Sequence, residues 1–135
     1  MRTGIKGILF DLDNTLIDRQ AAADAKVRKL VDELFPQLQD EPVERENIVQ
    51  KLLTWDEYGS IPKIHMYSIL AKEYGISQDQ VDELCKDWND TFGDYTVVFP
   101  QARRVVEQLK KTYKVGIVTN GISPMQRRKL ELCGL

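Results

Sequence analysis

Two kinds of apolar pattern alternate along this chain. Short unbroken runs, Ile8-Leu9-Phe10 near the start and Val115-Gly116-Ile117-Val118 near the end, have the β-branched and aromatic character of buried parallel strands, with Ile5 in line with the first. Between them apolar residues recur every three or four positions, the spacing of helices packed on one face. Ala22, Val27, Leu30, Val31 and Leu34 form a stripe that should stop before Pro36. A second stripe, Val43, Ile48, Val49, Leu52 and Leu53, follows Pro42, and a third runs from Ile64 through Tyr67, Leu70 and Ala71 to Tyr74, with Gly75 placed to end it. Ser77 followed by Gln80 resembles a capping box opening a fourth helix, with Val81, Leu84, Cys85 and Trp88 inward.

Residues 17–94 therefore predict a four-helix insertion without a strand. Residues 95–99 lead the chain back. Pro100 suits the first turn of a helix in which Val105, Val106 and Leu109 face the core. Ser123 as N-cap with Pro124 behind it predicts a last helix, ended by Gly134. The order strand, helical insertion, helix, strand, helix is that of an α/β chain, and a right-handed crossover sets its two strands parallel.

The first strand ends abruptly in Asp11-Leu12-Asp13-Asn14-Thr15. Ligand sites of open α/β sheets lie just beyond the carboxyl ends of such strands. Two carboxylates two positions apart repel one another there and call for a cation, a shared proton or a functional use. A plainer reading makes this a polar turn in which Asn14 or Thr15 caps a helix. The parallel arrangement brings Thr119, at the end of the second strand, to the same edge.

At these residues the sequence resembles the haloacid dehalogenase (HAD)-like hydrolase superfamily. Its first motif, three apolar residues and then D-x-D-x-T, reads here as Ile8 to Thr15. Its second, a strand ending in Thr or Ser, reads as Val115 to Gly121, and the run from Gln126 through Lys129-Leu130 to Gly134-Leu135 resembles the helix that follows. The resemblance implies a Rossmann-like parallel sheet, as a partial core of residues 1–16 and 95–135, with residues 17–94 as an inserted helical cap. It implies membership of the helical-cap phosphatases. Asp11 would be the nucleophile that forms an aspartyl-phosphate, and Asp13 the general acid and then base. Mg²⁺ would bind the Asp11 carboxylate and the Asp13 backbone carbonyl. Thr119 and the Asn120 N–H would hold the phosphoryl oxygens near the N-terminal end of the Ser123 helix. Dehalogenases lack an acid at the position of Asp13, because a halide leaves without a proton. Retention of Asp13 points to phosphate ester or anhydride hydrolysis, with phosphomutase chemistry as a lesser alternative, and the resemblance as a whole implies a phosphatase acting on a small phosphorylated metabolite.

The family pattern continues with further strands, a lysine that neutralises the phosphoryl group and an acidic pair that completes the metal site. None can be placed here: Lys129 fits the helix pattern, and Lys110 and Lys111 precede the second motif. This leaves open a first part of a longer phosphatase, or a truncated, non-catalytic product acting as a binding or interaction protein. With little to cover the two strands, an exposed apolar sheet edge and self-association through it are expected.

Composition narrows the setting. The 135 residues are 42% hydrophobic and 30% charged, with a net charge of −2, which offers no case for nucleic acid or an anionic membrane. No apolar stretch approaches the roughly 20 residues of a membrane span, and Asp11 cuts the N-terminal run too short for a signal peptide. Cys85 and Cys133 lie far apart, in no C-x-x-C spacing, and read as buried thiols of a cytoplasmic protein and not as a disulfide. Lys26, Arg28, Arg45, Tyr58, Lys63 and His65 are polar residues of the insertion with no signature, each expected on a solvated helix face. Trp55 and Trp88 are expected as core anchors.

Overall fold

The computed structural model describes residues 4–134. Strands β1 (Gly7–Phe10) and β2 (Lys114–Ile117) pair in parallel, with Ile8 opposite Val115 and Phe10 opposite Ile117. Helices α1 (Arg19–Leu34), α2 (Pro42–Asp56), α3 (Lys63–Tyr74) and α4 (Gln78–Thr91) follow β1, with short 3₁₀ turns at Pro36–Asp40, Glu57–Gly59 and Phe92–Tyr95. Helix α5 (Ala102–Lys110) precedes β2, and α6 (Ser123–Cys133) follows it.

Local chemistry accounts for most boundaries. The Asp18 side chain accepts from the Ala21 N–H at 3.0 Å and caps α1, and Ser77 caps α4 through the Gln80 N–H at 3.2 Å. Gly75 and Gly134 end α3 and α6 in the left-handed conformation.

Two apolar clusters result. The larger joins α1 to α4 through Val27, Leu30, Val31, Val49, Leu52, Met66, Tyr67, Leu70, Trp88 and Phe92. The smaller gathers Leu12, Leu16, Ile17, Ala102, Val106 and Cys133 beside the sheet. The returning chain is stitched to the segment before α1: Asp18 N–H donates to the Val97 carbonyl at 2.7 Å, and Phe99 N–H to the Leu16 carbonyl at 3.1 Å.

Several expectations need correction. Ile5 lies before β1 and is exposed, and Leu9 within it is 71% exposed while Ile8 and Phe10 are half-buried. Strand side chains alternate between faces, and among the described residues only one face of this sheet is well covered. Val43, at the first turn of α2, and Ile64 lie off their buried stripes. In α5 the inward positions are Ala102 and Val106, which leaves Val105, a quarter-turn away, exposed. That helix starts after Pro100, with Gln101 as N-cap, and α6 takes Ile122 as N-cap, with Ser123 already helical. Lys26 and Lys63 are not on solvated faces. Lys26 is buried, bonded to Asp87 and, at 3.1 Å, to Thr91. Lys63 pairs with Asp56, which has no exposed surface. Their long stems reach inward, and a buried ammonium persists there because a carboxylate partner is present.

Candidate active site

The first motif forms a tight turn at the end of β1. The Leu12 carbonyl accepts from the N–H groups of Thr15, Leu16 and Ile17 at 3.0 to 3.3 Å, and Asn14 N–H donates to the Ile17 carbonyl at 2.8 Å. Asn14 takes the left-handed conformation this turn needs, at φ 61°, which its short polar side chain tolerates. Its Oδ1 then accepts from the Arg19 N–H at 3.0 Å, so Asn14 supports the first turn of α1, although the N-cap is Asp18 and neither Asn14 nor Thr15 as the plainer reading had it. Leu12 is fully buried, and the residues on either side of it, Asp11 and Asp13, line a cleft.

β2 brings the second motif to the same edge. Val118 N–H donates to the Phe10 carbonyl at 2.8 Å, which sets Thr119 and Asn120 beyond the sheet alongside Asp11. Gly121 then turns the chain into α6 at φ 117°. A Cβ there would also stand 3.2 Å from Gln126 Cδ, so glycine permits both the turn and the close approach of that side chain.

The cleft has a volume of about 490 Å³ and is bounded by Asp11, Asp13, Asn120 and Lys129 on one side and by Tyr58, Lys63 and Trp88 from the helical insertion on the other. Asp11 is exposed, and its Oδ2 accepts from Thr15 Oγ1 at 3.1 Å. Asp13 is held differently: its Oδ1 takes a hydrogen bond from Lys129 Nζ at 2.8 Å, and its Oδ2 one from Gln126 Nε2 at 3.0 Å. Thr119 does not line the cleft, and its hydroxyl accepts a hydrogen bond from Gln126 Nε2 at 2.6 Å. Trp88 is buried, as expected, and stacks on Phe92 with ring centroids 4.5 Å apart. Trp55 packs on the same cluster, whereas His65 is exposed.

Residues without a sequence signature complete the wall. Arg19 donates to Asp56 at 2.6 and 3.1 Å, and Lys63 pairs with the same carboxylate. Burial pushes the Asp56 carboxyl up, but the Arg19 and Lys63 cations outweigh it and hold the group below its ordinary value. Burial lowers both Lys63 and Lys129, against the opposing pull of their carboxylate partners. Arg19 lies 5.0 Å and Lys129 5.2 Å from the centre of the Phe92 ring, an arrangement that stabilises cations away from water. One usable signal did exist for Gln126 and Lys129: they stand three apart, hence on one face, in the helix directly behind the second motif.

A hard divalent cation seeks several oxygens. The Asp13 carboxylate is taken up by Lys129 and Gln126, which leaves the Asp11 carboxylate and the carbonyls of the turn. Among the described residues, no three His, Cys, Asp or Glu side chains gather into a metal site. Those few donors fit an ion that keeps most of its water, as Mg²⁺ does, and not one fully caged by protein.

A family model described as haloacid dehalogenase-like hydrolase matches residues 8–135. The chain belongs to this family. It is 29% identical over 133 residues to YfnB of Bacillus subtilis (strain 168), which is named for the HAD hydrolases, and covers 95% of this chain and 56% of that protein. The chain thus spans about half the length of the curated relative it matches. A solved structure of YfnB bound to magnesium superposes with a TM-score of 0.65 at 28% identity, over 97% of this chain and 60% of that one. Two more distant structures share the fold: SP0104 of Streptococcus pneumoniae (TM-score 0.57, 19% identity, 96% and 56% covered) and the L-2-haloacid dehalogenase of Xanthobacter autotrophicus (0.53, 21%, 97% and 53%). Among the described residues of this HAD-like hydrolase, no helix is long and apolar enough to cross a membrane.

Proposed function

We propose that this chain carries the phosphoryl-transfer centre of a cytoplasmic, Mg²⁺-dependent phosphatase acting on a small phosphorylated metabolite. The observation that carries the reading is the exposed Asp11 carboxylate in the same cleft as the fixed carboxylate of Asp13. An Asp11 oxygen attacks phosphorus while the ester P–O bond breaks and the leaving oxygen takes a proton from Asp13. Water then attacks the aspartyl-phosphate, gives its proton to Asp13 and releases phosphate and free Asp11. Asn120 lines the cleft and offers its N–H to phosphoryl oxygens near the start of α6. Mg²⁺, held by the Asp11 carboxylate and the Asp13 carbonyl, would offset the charge of the phosphoryl group. The magnesium-bound structure of YfnB supports that choice. The cleft lies within the usual range of roughly 300–1,000 Å³ for small-molecule sites. We take residues 1–16 and 95–135 as the catalytic core and residues 17–94 as its cap; the larger apolar cluster lies mostly in the cap and the smaller mostly in the core, with Ile17 in the smaller and Tyr95 and Met125 packed on the larger.

The test is phosphate release from alkyl and nitrophenyl phosphates with and without Mg²⁺, beside halide release from a 2-haloacid. Mg²⁺-dependent phosphate release, lost in Asp11→Asn, is expected. Asp13→Asn should lose about 10²–10⁴-fold on alkyl esters, the usual contribution of general acid–base catalysis, and less on the nitrophenyl ester, which needs little protonation. Halide release without phosphate release refutes the reading.

One observation favours a second reading, a module that binds phosphorylated ligands without turnover. Among the described residues, every cation lining the cleft is already engaged: Arg19 and Lys63 with Asp56, and Lys129 with Asp13. A kcat of about 1–10³ s⁻¹, the common enzyme range, from this chain alone rejects it.

A further inference from the structure

Gln126 makes an unusual set of contacts. It is 4% exposed, and its Nε2 faces three acceptors: Asp13 Oδ2 at 3.0 Å, Thr119 Oγ1 at 2.6 Å and the Asn120 carbonyl at 2.9 Å. Its Oε1 is buried with no hydrogen-bond partner among the described residues. Turning the amide over would set that oxygen against a carboxylate and a carbonyl, so the three acceptors fix its orientation. A buried acceptor without a donor is costly, and natural proteins retain few of them. The amide thus keeps one oxygen unpaired in order to hold three acceptors at the cleft.

The contacts also reach across the molecule. Asp13 lies 113 positions from Gln126 and 116 from Lys129, which binds the other oxygen of the same carboxylate. One donor on each oxygen fixes the plane of the Asp13 carboxylate. The bond from Gln126 occupies a lone pair of Thr119 Oγ1, so the Thr119 proton is left to be donated elsewhere; its present acceptor is the Asn120 carbonyl at 3.2 Å.

We propose that Gln126 and Lys129 are positioning residues. They lock the Asp13 carboxylate at the cleft, and Gln126 sets the Thr119 hydroxyl as a donor and ties the turn after β1 to the segment after β2. The inference rests on the phosphatase reading for its kinetic consequence, and on geometry alone for its structural one.

Gln126→Met keeps the length of the side chain and removes the orphan oxygen. Its unfolding midpoint should fall only modestly, because the loss of the donor to three acceptors is partly offset by removal of the orphan oxygen. Amide hydrogen exchange should quicken at least tenfold at Asn14 to Ile17 and at Val118, while Tyr67 and Leu70, deep in the helical insertion, keep their rates. On an alkyl phosphate kcat should fall on the order of 10²-fold with KM little changed, the scale of a misplaced reacting group. Lys129→Met should lose more on the alkyl ester than on the nitrophenyl ester, and Lys129→Arg should recover part of that loss. Unchanged exchange in both segments overturns the proposal, as does faster exchange throughout the chain with kcat intact, the mark of a merely structural residue. Should the wild-type chain hydrolyse neither ester, the phosphatase reading fails and the exchange experiment still decides this one.

Discussion

Asp56→Asn probes the buried charge cluster that braces the mouth of the cleft. Asp56 has no exposed surface and serves two cations: Arg19 at 2.6 and 3.1 Å, and Lys63. The side chains of those partners are only 8% and 12% exposed, so neither can recover its hydration by moving slightly. The amide keeps the shape and removes the charge, leaving two like charges close together and away from water. Breaking a buried pair in this way costs about 3–5 kcal/mol. Against a typical domain stability of about 5–15 kcal/mol this is a large share. With a urea m-value of about 2 kcal/mol/M, the unfolding midpoint should fall by roughly 1.5–2.5 M. Trp88, whose ring centre lies 5.1 Å from Lys63 Nζ, gives a fluorescence signal for the assay. Replacing the cluster together, as Arg19→Met with Asp56→Leu and Lys63→Met, should cost less than Asp56→Asn alone, because apolar packing leaves no charge unpaired. The pH dependence has a definite sign. The folded-state value of Asp56 is depressed, so its contribution is fully present above the unfolded value of about 4 and is lost as pH falls through the folded one. Asp56→Asn should therefore lose less stability than wild type on acidification. A midpoint within 0.3 M of wild type, about 0.6 kcal/mol on the same m-value, would refute the argument and show the cluster to be hydrated.

Other consequences are simpler. Tyr67→Phe should leave stability unchanged or raise it by about 1 kcal/mol in urea unfolding, because the Tyr67 hydroxyl is buried without a partner. Leu12→Ala should cost about 2–5 kcal/mol and Leu9→Ala much less, since the first is fully buried and the second 71% exposed; thermal unfolding of the pair checks it. Gly59→Ala should destabilise by more than 1 kcal/mol, because Gly59 has φ +86° and an added Cβ would lie 2.6 Å from the Arg19 guanidinium. Isothermal calorimetry with Mg²⁺ alone should show weak binding to the wild-type chain and none to Asp11→Asn, as few protein oxygens are available to hold the ion.

Much of the fold was legible from local rules. The stripe of α1 ends where Pro36 forbids continuation, Ser77 caps α4, and Gly75 and Gly134 stop their helices, because each effect is decided within one turn of chain. The parallel pairing of β1 with β2 followed from element order and crossover handedness. Asp11, Asp13, Thr119 and Asn120 could be named in advance because they sit directly at strand ends. The charges in and behind the cleft wall could not. Arg19, Asp56 and Lys63 read as ordinary polar positions, and only the folded chain turns them inward; Gln126 and Lys129 shared a helix face behind the second motif, but nothing local placed them on Asp13. Whether a lysine stem ends in water or beside a carboxylate depends on what other elements bring to that spot. Helix α6 brought Lys129 to Asp13, and α2 brought Asp56 to Arg19 and Lys63. Likewise the exposure of Leu9 depends on what covers each face of the sheet, which strand propensity does not encode. Local sequence set where the elements begin and where the strand-end carboxylates of Asp11 and Asp13 stand; long-range packing decided which charges surround them, since charge pairing across a core is a property of the assembled elements and of no single one.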